Sequence, residues 1–386
     1  MSDKVRIGVV GTSWWADAMY LPALANHPLA DVRAVMGGAR PGHTREFAER
    51  WGIPAAYDSL DDMLAREPLD ALVILSPNVH HFPHAMAALE RGLHVLCEKP
   101  LAMTSGQARL LADAAERAGV VTMVPFTYRF MPVNRYLKEL VDEGYIGRPF
   151  HLNLRYYTGF GQSGAYSWRF DLGEAGSGVA GDLGSHWIYL ARWLYGDVAA
   201  VTAVFGHAVP RAPRPDGAPF SEGEDSAMIL LEFESGATGS LHVSSVAYAP
   251  GPFGQRHEMD LHGSAGSLQA VTDWVRVQRV EGCRAGEPET RELPIPDRLF
   301  ASARRDTVGN TYKDVFRQAD NMARGFVTAI AGRTPAAPDF RDGLAVQRVL
   351  DASCRSAREG RRVPIAEIVA DEESCPDPAR PSRDQG

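Results

Sequence analysis

The sequence predicts an α/β domain with a parallel sheet, followed by an α+β domain with a large, mostly antiparallel open sheet. In the first third of the chain, short apolar runs alternate with helix-like stretches, which is typical of βαβ units. The pattern changes after Pro125. Residues 228–233 and 240–245 alternate apolar and polar side chains, and no helical pattern separates these runs. This alternation favours an antiparallel sheet with one packed face.

The length of 386 residues favours two domains, because a single core rarely grows beyond about 250 residues. We expect the first domain over residues 1–125 and the second over residues 126–369. Residues 370–386 are rich in Asp, Glu, Pro, Ser and Arg and contain almost nothing apolar. A segment of that composition cannot bury enough surface to fold, so we expect a disordered tail there.

The elements of the first domain can be placed in order from their residue patterns. Their Val, Ile and Leu content predicts buried strands over residues 5–10, 32–36, 71–75, 94–97 and 120–124. Amphipathic spacing predicts helices over residues 44–51, 60–66, 83–91 and 105–118. Gly52, Gly92 and Gly119 each follow one of these helices, where a residue with positive φ commonly ends the turn. Further helices are expected over residues 179–195, 312–332 and 342–358.

Composition excludes several classes of protein. The net charge of −8 and the lack of a basic tract argue against a nucleic-acid partner. No apolar run approaches the roughly 18 residues of a membrane span, and residues 1–12 do not have the pattern of a secretory leader. The cysteines are scattered without metal-ligand spacing; they are Cys97, Cys283, Cys354 and Cys375. We therefore expect a cytoplasmic, reduced protein without a metal, since His80 and His84 lack an accompanying ligand cluster.

A glycine turn follows the first strand, with the sequence Gly11-Thr12-Ser13-Trp14-Trp15-Ala16. A dinucleotide site needs a tight strand-to-helix turn, a close approach of backbone to pyrophosphate, and helix N–H groups aimed at it. Gly11 suits the turn, while Ser13 replaces the usual middle glycine and offers a hydroxyl to the phosphate. Gly11, Thr12, Ser13 and Trp14 are therefore candidate cofactor contacts. On this motif alone, an ordinary βα turn explains the residues equally well.

The end of the second strand bears on the choice between NAD and NADP. An NAD-preferring site usually has Asp or Glu there to bind the ribose 2′-hydroxyl. This chain has Gly37 and Gly38, with Arg40, His43 and Arg45 close behind. The missing carboxylate and the nearby cations favour a 2′-phosphate, so we expect NADP rather than NAD, with contacts from Gly38 and Arg40. Solvated loop charges are the alternative interpretation.

Two further motifs follow predicted strands. Ser76, Asn78 and His81 come after residues 71–75, and Glu98-Lys99-Pro100 comes after residues 94–97. In these residues the chain resembles the Gfo/Idh/MocA family of glucose–fructose oxidoreductase, inositol dehydrogenase and their relatives. The likeness continues through Tyr128-Arg129-Phe130, Gly176-Ser177-Gly178, the segment from Asp182 to His186, and Ser356-Ala357-Arg358-Glu359-Gly360.

The resemblance implies a fold, a cofactor site and a catalytic group. The fold is an N-terminal Rossmann domain joined to a domain with an open, mostly antiparallel sheet. Cofactor contacts are implied for Ser76, Asn78, His81, Glu98 and Lys99, and the Lys99–Pro100 peptide is expected to be cis. The family often forms dimers or tetramers, and an uncovered sheet face commonly pairs with another subunit. We therefore expect a homodimer or homotetramer assembled through the C-terminal sheet.

Asp182 and His186 stand four residues apart, so both side chains can lie on one side of a helix. Such a pair alone is more often part of a surface helix, but the resemblance implies that Lys99, Asp182 and His186 are the catalytic group. A histidine can accept the proton of an alcohol near neutral pH. A lysine can stabilise developing alkoxide, and an aspartate can fix hydroxyls or the imidazole tautomer. Tyr189 departs from the family, in which many relatives have an acidic residue at that position.

Residues 155–170 are rich in aromatic side chains and glycine, a composition that suits the apolar faces and hydroxyl edges of sugars. Tyr157, Trp168 and Arg169 are candidate substrate contacts, as are Tyr128 and Arg129 at the expected domain junction. A core strand followed by a loop explains the same run equally well.

These features predict an NAD(P)-dependent oxidoreductase that transfers hydride between the nicotinamide and a secondary hydroxyl of a sugar, glycoside or cyclitol. One alternative is an enzyme that keeps its cofactor bound and uses transient sugar oxidation for glycosidic cleavage or elimination. Another is a sugar-sensing regulatory protein on the same fold. The presence of Lys99, Asp182 and His186 together speaks against a sensor, which has no need of the set.

Overall fold

The computed structural model describes residues 4–38, 40, 42–248 and 254–374. Its first sheet has six parallel strands in the order β3-β2-β1-β4-β5-β6. The strands are β1 (Val5–Val10), β2 (Ala30–Met36), β3 (Ala55–Tyr57), β4 (Ala71–Ile74), β5 (His94–Cys97) and β6 (Thr122–Met123). The helices between them are α1 (Leu21–Ala25), α2 (His43–Trp51), α3 (Leu60–Arg66), α4 (His81–Leu89) and α5 (Ser105–Ala118).

Capping residues explain why the helices of this domain begin and end where they do. The Thr104 side chain accepts the Gln107 N–H at the start of α5, and Gly119 ends the helix with a φ of 63°. Gly52 ends α2 in the same left-handed conformation. These signals are local, so the predicted bounds of α3 and α5 agree with the structure. The Rossmann-type domain is confirmed by its parallel sheet and strand order.

Among the described residues, the second sheet has nine strands in the order β14-β13-β12-β11-β7-β10-β9-β8-β15, and only β7 and β10 pair in parallel. The strands are β7 (Pro149–Tyr157), β8 (Val198–Gly206), β9 (Ser226–Phe233), β10 (Thr238–Ser244), β11 (Arg256–Gly263), β12 (Gly266–Thr272), β13 (Gln278–Arg284), β14 (Arg291–Glu292) and β15 (Val363–Pro364). Along β9 every second side chain is buried and the others are exposed, so the sheet has one packed and one open face. The predicted α+β domain is confirmed.

The remaining helices cover the packed face of the second sheet or return to the first domain. They are α6 (Pro132–Asp142), α7 (Leu172–Ala175), α8 (Ser185–Tyr195), α9 (Asp297–Phe300), α10 (Val308–Arg317), α11 (Met322–Gly332), α12 (Phe340–Glu359) and α13 (Ile365–Ser374). Helix α8 packs on β7 and β10, and α12 joins β8 to α5. Over the described ranges, no helix combines the length and apolar character needed to cross a membrane.

Two expectations about the C-terminal part differ from the structure. The single helical stretch expected over residues 312–332 is divided into α10 and α11, and α11 packs against β1, β5 and β6. Part of the segment assigned to the second domain therefore covers the sheet of the first. A disordered tail from residue 370 is wrong for residues 370–374, which belong to α13. Glu372 is buried there and accepts from Arg348 at 2.7 Å. Residues 375–386 of the expected tail lie outside the described residues.

Candidate active site

The glycine turn stands at the carboxyl end of β1, between β2 and β4, where the strand order of the sheet reverses. Ligands of parallel sheets bind at such a point. Gly11 has a φ of 110°, and a Cβ there would lie 2.8 Å from the carbonyl oxygen of Leu75. Only glycine is accommodated, so the turn keeps its backbone open to a ligand. Ser13 is exposed and Trp14 is 63% exposed, which leaves both free to contact a dinucleotide.

The loop after β2 is connected to this turn. Arg40 Nη2 lies 3.2 Å from His43 Nδ1, and His43 Nε2 lies 3.3 Å from the carbonyl oxygen of Thr12. A Cβ at Gly37 would lie 2.7 Å from Thr12 Oγ1, whereas a Cβ at Gly38 would meet nothing within 4 Å. Gly38 therefore leaves space close to the position at which an NAD-type carboxylate usually stands.

Glu98 connects the glycine turn to the Glu-Lys-Pro motif. Its buried carboxylate accepts from Tyr20 Oη at 2.6 Å and from Trp15 Nε1 at 2.8 Å. Tyr20 ends a π-helical turn over Ala16–Tyr20. The Lys99 backbone N–H also donates to Glu98, at 3.1 Å. The carboxylate thus fixes the start of the Lys99 turn, and its contact with the cofactor stays a prediction.

Lys99 and Asp182 form an ion pair across the two domains. Lys99 Nζ lies 2.7 Å from Asp182 Oδ1 and 2.8 Å from the Asp182 carbonyl oxygen. Arg169 Nε lies 3.4 Å from the other carboxylate oxygen, Oδ2. Burial raises the pKa of Asp182, but Lys99 and Arg169 more than offset this and lower it to about 2. Asp182 is therefore ionised at neutral pH. The Lys99–Pro100 peptide is cis, as expected.

His186 stands in the first turn of α8, directly after a π-helical turn over Ala180–Gly184 that contains Asp182. Its buried ring contacts Tyr128 edge-on, with the ring centroids 4.8 Å apart. Burial, followed by the charge of Lys99, lowers the pKa of His186 well below 6.5, while Asp182 acts in the opposite direction. Among the described residues, Nδ1 has no hydrogen-bond partner. The structure therefore brings Lys99, Asp182 and a neutral His186 together.

Two glycines before this helix stand where packing leaves little room for a side chain. A Cβ at Gly178 would lie 2.0 Å from the carbonyl oxygen of Glu224, and one at Gly181 would lie 2.3 Å from Ser177 Oγ. Glu224 is buried, and its Oε1 accepts the Ala180 N–H at 2.8 Å. A carboxylate at a helix N-terminus is favourable because the free N–H groups there carry partial positive charge. Sequence interpretation missed Glu224, which lies far from the helix along the chain.

Ser76, Asn78 and His81 lie beside the Glu-Lys-Pro turn, but His81 has a different position from the one expected. Its ring is fully enclosed, with Nδ1 2.8 Å from the Pro100 carbonyl oxygen and Nε2 2.9 Å from that of Ser76. The ring has no accessible surface for a cofactor and instead holds two loops together. Buried Asn78 donates to the Ala175 carbonyl oxygen at 3.0 Å, across to the second domain.

Three of the five candidate substrate residues lie at or beside the site, and they are Trp168, Arg169 and Tyr128. Trp168 and Arg169 lie at the site, where the guanidinium of Arg169 stacks 4.7 Å over the Trp168 ring and approaches Asp182. Tyr128 lies beneath His186, and its hydroxyl is buried in a network that was not expected. Tyr156 Oη and Gln255 Nε2 both lie 2.7 Å from it. Tyr128 therefore packs edge-on against the imidazole, while its hydroxyl is enclosed by protein.

Tyr157 and Arg129 are directed away from the site. Successive side chains of a strand point to opposite faces, so buried Tyr156 leaves Tyr157 on the open face of β7. Its hydroxyl lies 2.8 Å from His242 Nδ1 there, and the substrate contact expected for Tyr157 is wrong. Arg129 donates to the Tyr189 hydroxyl and stacks 5.2 Å over Trp193, so its guanidinium is committed to α8. The substrate contact expected for Arg129 finds no support in this geometry.

The histidine pair considered for a metal has another arrangement. The rings of His80 and His84 stack with centroids 5.6 Å apart, and Ser76 Oγ lies 3.3 Å from His84 Nδ1. Burial and the neighbouring histidines lower the pKa of His84 to about 4. Within the described part of the chain, no group of three or more His, Cys, Asp or Glu side chains is arranged to hold a metal ion.

The sequence and the fold both match known proteins. The sequence model of the oxidoreductase family with an NAD-binding Rossmann fold, GFO/IDH/MocA, matches residues 5–126, and that of its C-terminal domain matches residues 134–269. A levoglucosan dehydrogenase of Pseudarthrobacter phenanthrenivorans is 28% identical over 400 aligned positions, which cover 95% of this chain and 100% of the relative. The D-xylose 1-dehydrogenase (NADP(+)) 2 of Haloferax volcanii is 30% identical over 368 positions, covering 94% of this chain and 100% of the relative.

A solved structure agrees with these matches. Levoglucosan dehydrogenase in complex with NADH and levoglucosan superimposes with a TM-score of 0.79 at 27% identity, and the match covers 94% of this chain and 100% of that one. The two family models together include the glycine turn, Lys99 and Asp182 in the residues that they match. The chain belongs to the GFO/IDH/MocA family of oxidoreductases.

Proposed function

We propose that this protein transfers a hydride between a secondary hydroxyl of a sugar, glycoside or cyclitol and the nicotinamide of NAD or NADP. One observation carries the proposal: the Lys99–Asp182 ion pair of 2.7 Å lies beside a buried, neutral His186 at the junction of the two domains. Relatives named levoglucosan dehydrogenase and D-xylose 1-dehydrogenase support a sugar-like substrate.

Each member of the triad has a chemical role in this proposal. His186 accepts the proton of the substrate hydroxyl, since a neutral imidazole is a competent base. The ammonium of Lys99 stabilises the negative charge that develops on the same oxygen. Asp182 holds Lys99 and Arg169 in place through its two carboxylate oxygens. A bound nicotinamide supplies the chemistry of hydride acceptance.

The glycine turn would hold the cofactor in this proposal. Thr12, Ser13 and Trp14 would contact its pyrophosphate, and the backbone at Gly11 would allow close approach. Gly38 and Arg40 would contact the adenosine ribose, and we infer a preference for NADP because a guanidinium pairs with a 2′-phosphate. Dissociation constants for NAD and NADP at matched ionic strength test this preference, since salt screens the extra phosphate. Equal affinity, or tighter binding of NAD, would refute it.

Trp168 and Arg169 form the wall of the substrate site. The indole offers an apolar face to a sugar ring, and Arg169 can donate to ring hydroxyls while it remains near Asp182. Tyr128 acts as a positioning residue, because its hydroxyl is enclosed by Tyr156 and Gln255.

The reaction is tested by incubating the purified protein with a panel of sugars, glycosides and cyclitols plus either oxidised cofactor. We expect nicotinamide absorbance to rise with at least one substrate, and the product to be lighter by one molecule of hydrogen. Cleavage of a glycoside without net reduction of added cofactor would instead favour an enzyme that retains its cofactor. If no member of the panel reduces the added cofactor or is converted to a product, the proposed function is wrong.

The open face of the second sheet supports the proposed assembly into a homodimer or homotetramer. Val204 and Leu230 are 68% and 58% exposed on adjacent strands β8 and β9, and Met228 lies directly opposite Val204. An apolar sheet face of this kind commonly pairs with another subunit. Light scattering after size exclusion measures the mass, and Leu230→Glu should shift it toward a single chain. A monomeric wild-type protein would refute this assembly.

A further inference from the structure

The Pro-rich segment of residues 207–222 has no role in the function described so far. It lies against residues 159–171, a loop termed here the wall loop because it contains Trp168 and Arg169. The Ala212 N–H donates to the Gly164 carbonyl oxygen at 2.7 Å. Gly164 has a φ of 65°, and a Cβ there would lie 2.8 Å from the Pro210 carbonyl oxygen. The two irregular segments are therefore in direct backbone contact.

Arg211 is the one buried residue of this segment, all of which the structure describes. Its side chain is only 1% exposed, as is that of Asp225, and Arg211 Nη2 donates to Asp225 Oδ2 at 3.1 Å. Nη1 donates to the carbonyl oxygen of Gly161, and the guanidinium carbon lies 3.9 Å over the Phe170 ring. A guanidinium is a planar fork, so one group makes all three contacts with the protein interior.

Asp225, the partner of Arg211, also accepts hydrogen bonds from the backbone. Its carboxylate accepts the Ala208 N–H at 3.0 Å and the Val209 N–H at 2.8 Å. Buried Glu224, the preceding residue, accepts from Ala180 at the start of the segment containing Asp182. Glu224 and Asp225 thus connect the turn that precedes α8 to Arg211 and the Pro-rich segment.

One contact of Arg211 is with Phe170, the neighbour in sequence of the active-site residue Arg169. Phe170, beneath the guanidinium, directly follows Arg169, whose Nε lies 3.4 Å from Asp182 Oδ2. The far end of the wall loop is held as well, since Arg214 Nη1 donates to Asp171 Oδ2 at 2.7 Å. A loop without such buried contacts opens at little free-energy cost.

We propose that Arg211 is a positioning residue for substrate recognition, which fixes the wall loop so that Trp168 and Arg169 face Asp182. This inference rests on the proposed function. Loss of the guanidinium leaves the catalytic triad and the cofactor turn unchanged but lets the wall loop depart from the cleft. Substrate affinity falls as a result, while the chemical step and cofactor affinity are preserved.

The test uses Arg211→Lys and Arg211→Met in the full-length protein, with a sugar that the wild-type enzyme oxidises. Lysine keeps a positive charge opposite Asp225, so it protects the fold, but it lacks the planar group over Phe170. We expect KM to rise roughly 10-fold or more in both variants, because small displacements of positioning groups have large effects. We expect kcat and the dissociation constant of NADP to stay within about 3-fold of the wild-type values.

Arg348→Met is the matched control, because it removes a cation from another buried carboxylate, Glu372, on α12 and α13. We expect lower thermal stability in this control and an unchanged KM. Hydrogen exchange gives a second reading that is independent of activity. Residues 159–171 should exchange faster in Arg211→Lys, and residues 185–195 of α8 should not.

The outcomes separate this inference from the proposed function. A wild-type protein that oxidises no sugar overturns both. Turnover by the wild type with an unchanged KM in both Arg211 variants, or unchanged exchange of residues 159–171, overturns only the role of Arg211. A rise in KM that Arg348→Met reproduces also overturns it, because the effect then follows general stability.

Discussion

Lys99 Nζ and Asp182 Oδ1 lie 2.7 Å apart, although the two residues belong to different domains. Lys99 follows β5 of the parallel sheet, and Asp182 stands in the π-helical turn before α8. A second bond, from Nζ to the Asp182 carbonyl oxygen, fixes the ammonium at 2.8 Å from the backbone of that turn. Irregular helical turns of this type are frequent at functional sites. The pair therefore connects the Rossmann-type domain to the second domain at the proposed site of the reaction.

The pH dependence of turnover should reflect the depressed pKa of His186. Burial and the charge of Lys99 lower the pKa of His186 well below 6.5. The imidazole therefore stays neutral in mildly acidic solution and remains available as a base. We expect initial rates of alcohol oxidation, as kcat/KM, to lose little between about pH 8 and about pH 6. An inflection near the ordinary histidine pKa of about 6.5 would contradict a buried, neutral base.

Stability should fall in acid for the same physical reason. Burial lowers the pKa of His257 to about 3 and that of His186 well below 6.5, while the unfolded chain takes up protons at each histidine below about 6.5. Above about pH 6.5 these histidines are neutral in both states, and stability is not reduced by their protonation. As the pH falls from about 6.5 toward the folded-state pKa values, the unfolded chain binds more protons, and the free energy of unfolding decreases by at most about 1.4 kcal/mol per pH unit for each group.

Urea unfolding over this pH range measures that slope. His257→Gln removes one titrating group, so the slope of its stability against pH should be shallower than that of the wild type. A slope that does not respond to His257→Gln would contradict the assignment.

Gly178→Ala should destabilise the protein strongly. The added Cβ would lie 2.0 Å from the Glu224 carbonyl oxygen, which is backbone and has little freedom to move. We expect a loss of roughly 3 kcal/mol or more in the free energy of unfolding, as for severe overpacking. Gly106→Ala is the control, because its Cβ would meet only Thr104 Oγ1, at 3.9 Å, within α5. Denaturant midpoints that are equal for the two variants would show that residues 178 and 224 are not so closely packed.

Tyr156→Phe and Tyr157→Phe form a matched pair on β7. The first removes a buried hydroxyl 2.7 Å from both Tyr128 Oη and Gln255 Nε2, which leaves their polar atoms without that partner. The second removes one contact with His242 on the open face. We expect a loss of about 1–3 kcal/mol for Tyr156→Phe and a much smaller change for Tyr157→Phe. A larger loss of stability for Tyr157→Phe than for Tyr156→Phe, measured by thermal or urea unfolding, would show that Tyr156 does not lie on the packed face.

The sequence was most informative where the signals are local. The bounds of β1, β5, α3 and α5 follow from apolar spacing, caps and left-handed glycines, which act over a few residues. The proximity of Lys99, Asp182 and His186 was also predictable, because the Glu98-Lys99-Pro100 motif and the spacing of Asp182 and His186 are short patterns that a family resemblance connects.

Features that depend on distant parts of the chain were not predictable in the same way. The substrate contact expected for Tyr157 is wrong because two tyrosines are adjacent in the sequence, and only the register of the strand decides which of them lies on the open face. Residues 370–374 were assigned to a tail because their acidic composition does not reveal that Arg348 pairs with Glu372. The roles of Glu224 and Gln255 likewise arise from contacts between segments far apart in sequence.

Turnover by Lys99→Ala is the most direct test of the central claim, that Lys99, Asp182 and His186 perform the reaction together. The variant removes the ammonium that bonds to Asp182 but leaves the glycine turn and its Gly11 backbone intact. We predict a kcat lower by at least about 100-fold, with a cofactor dissociation constant close to that of the wild type. Near-normal turnover in Lys99→Ala would contradict the account.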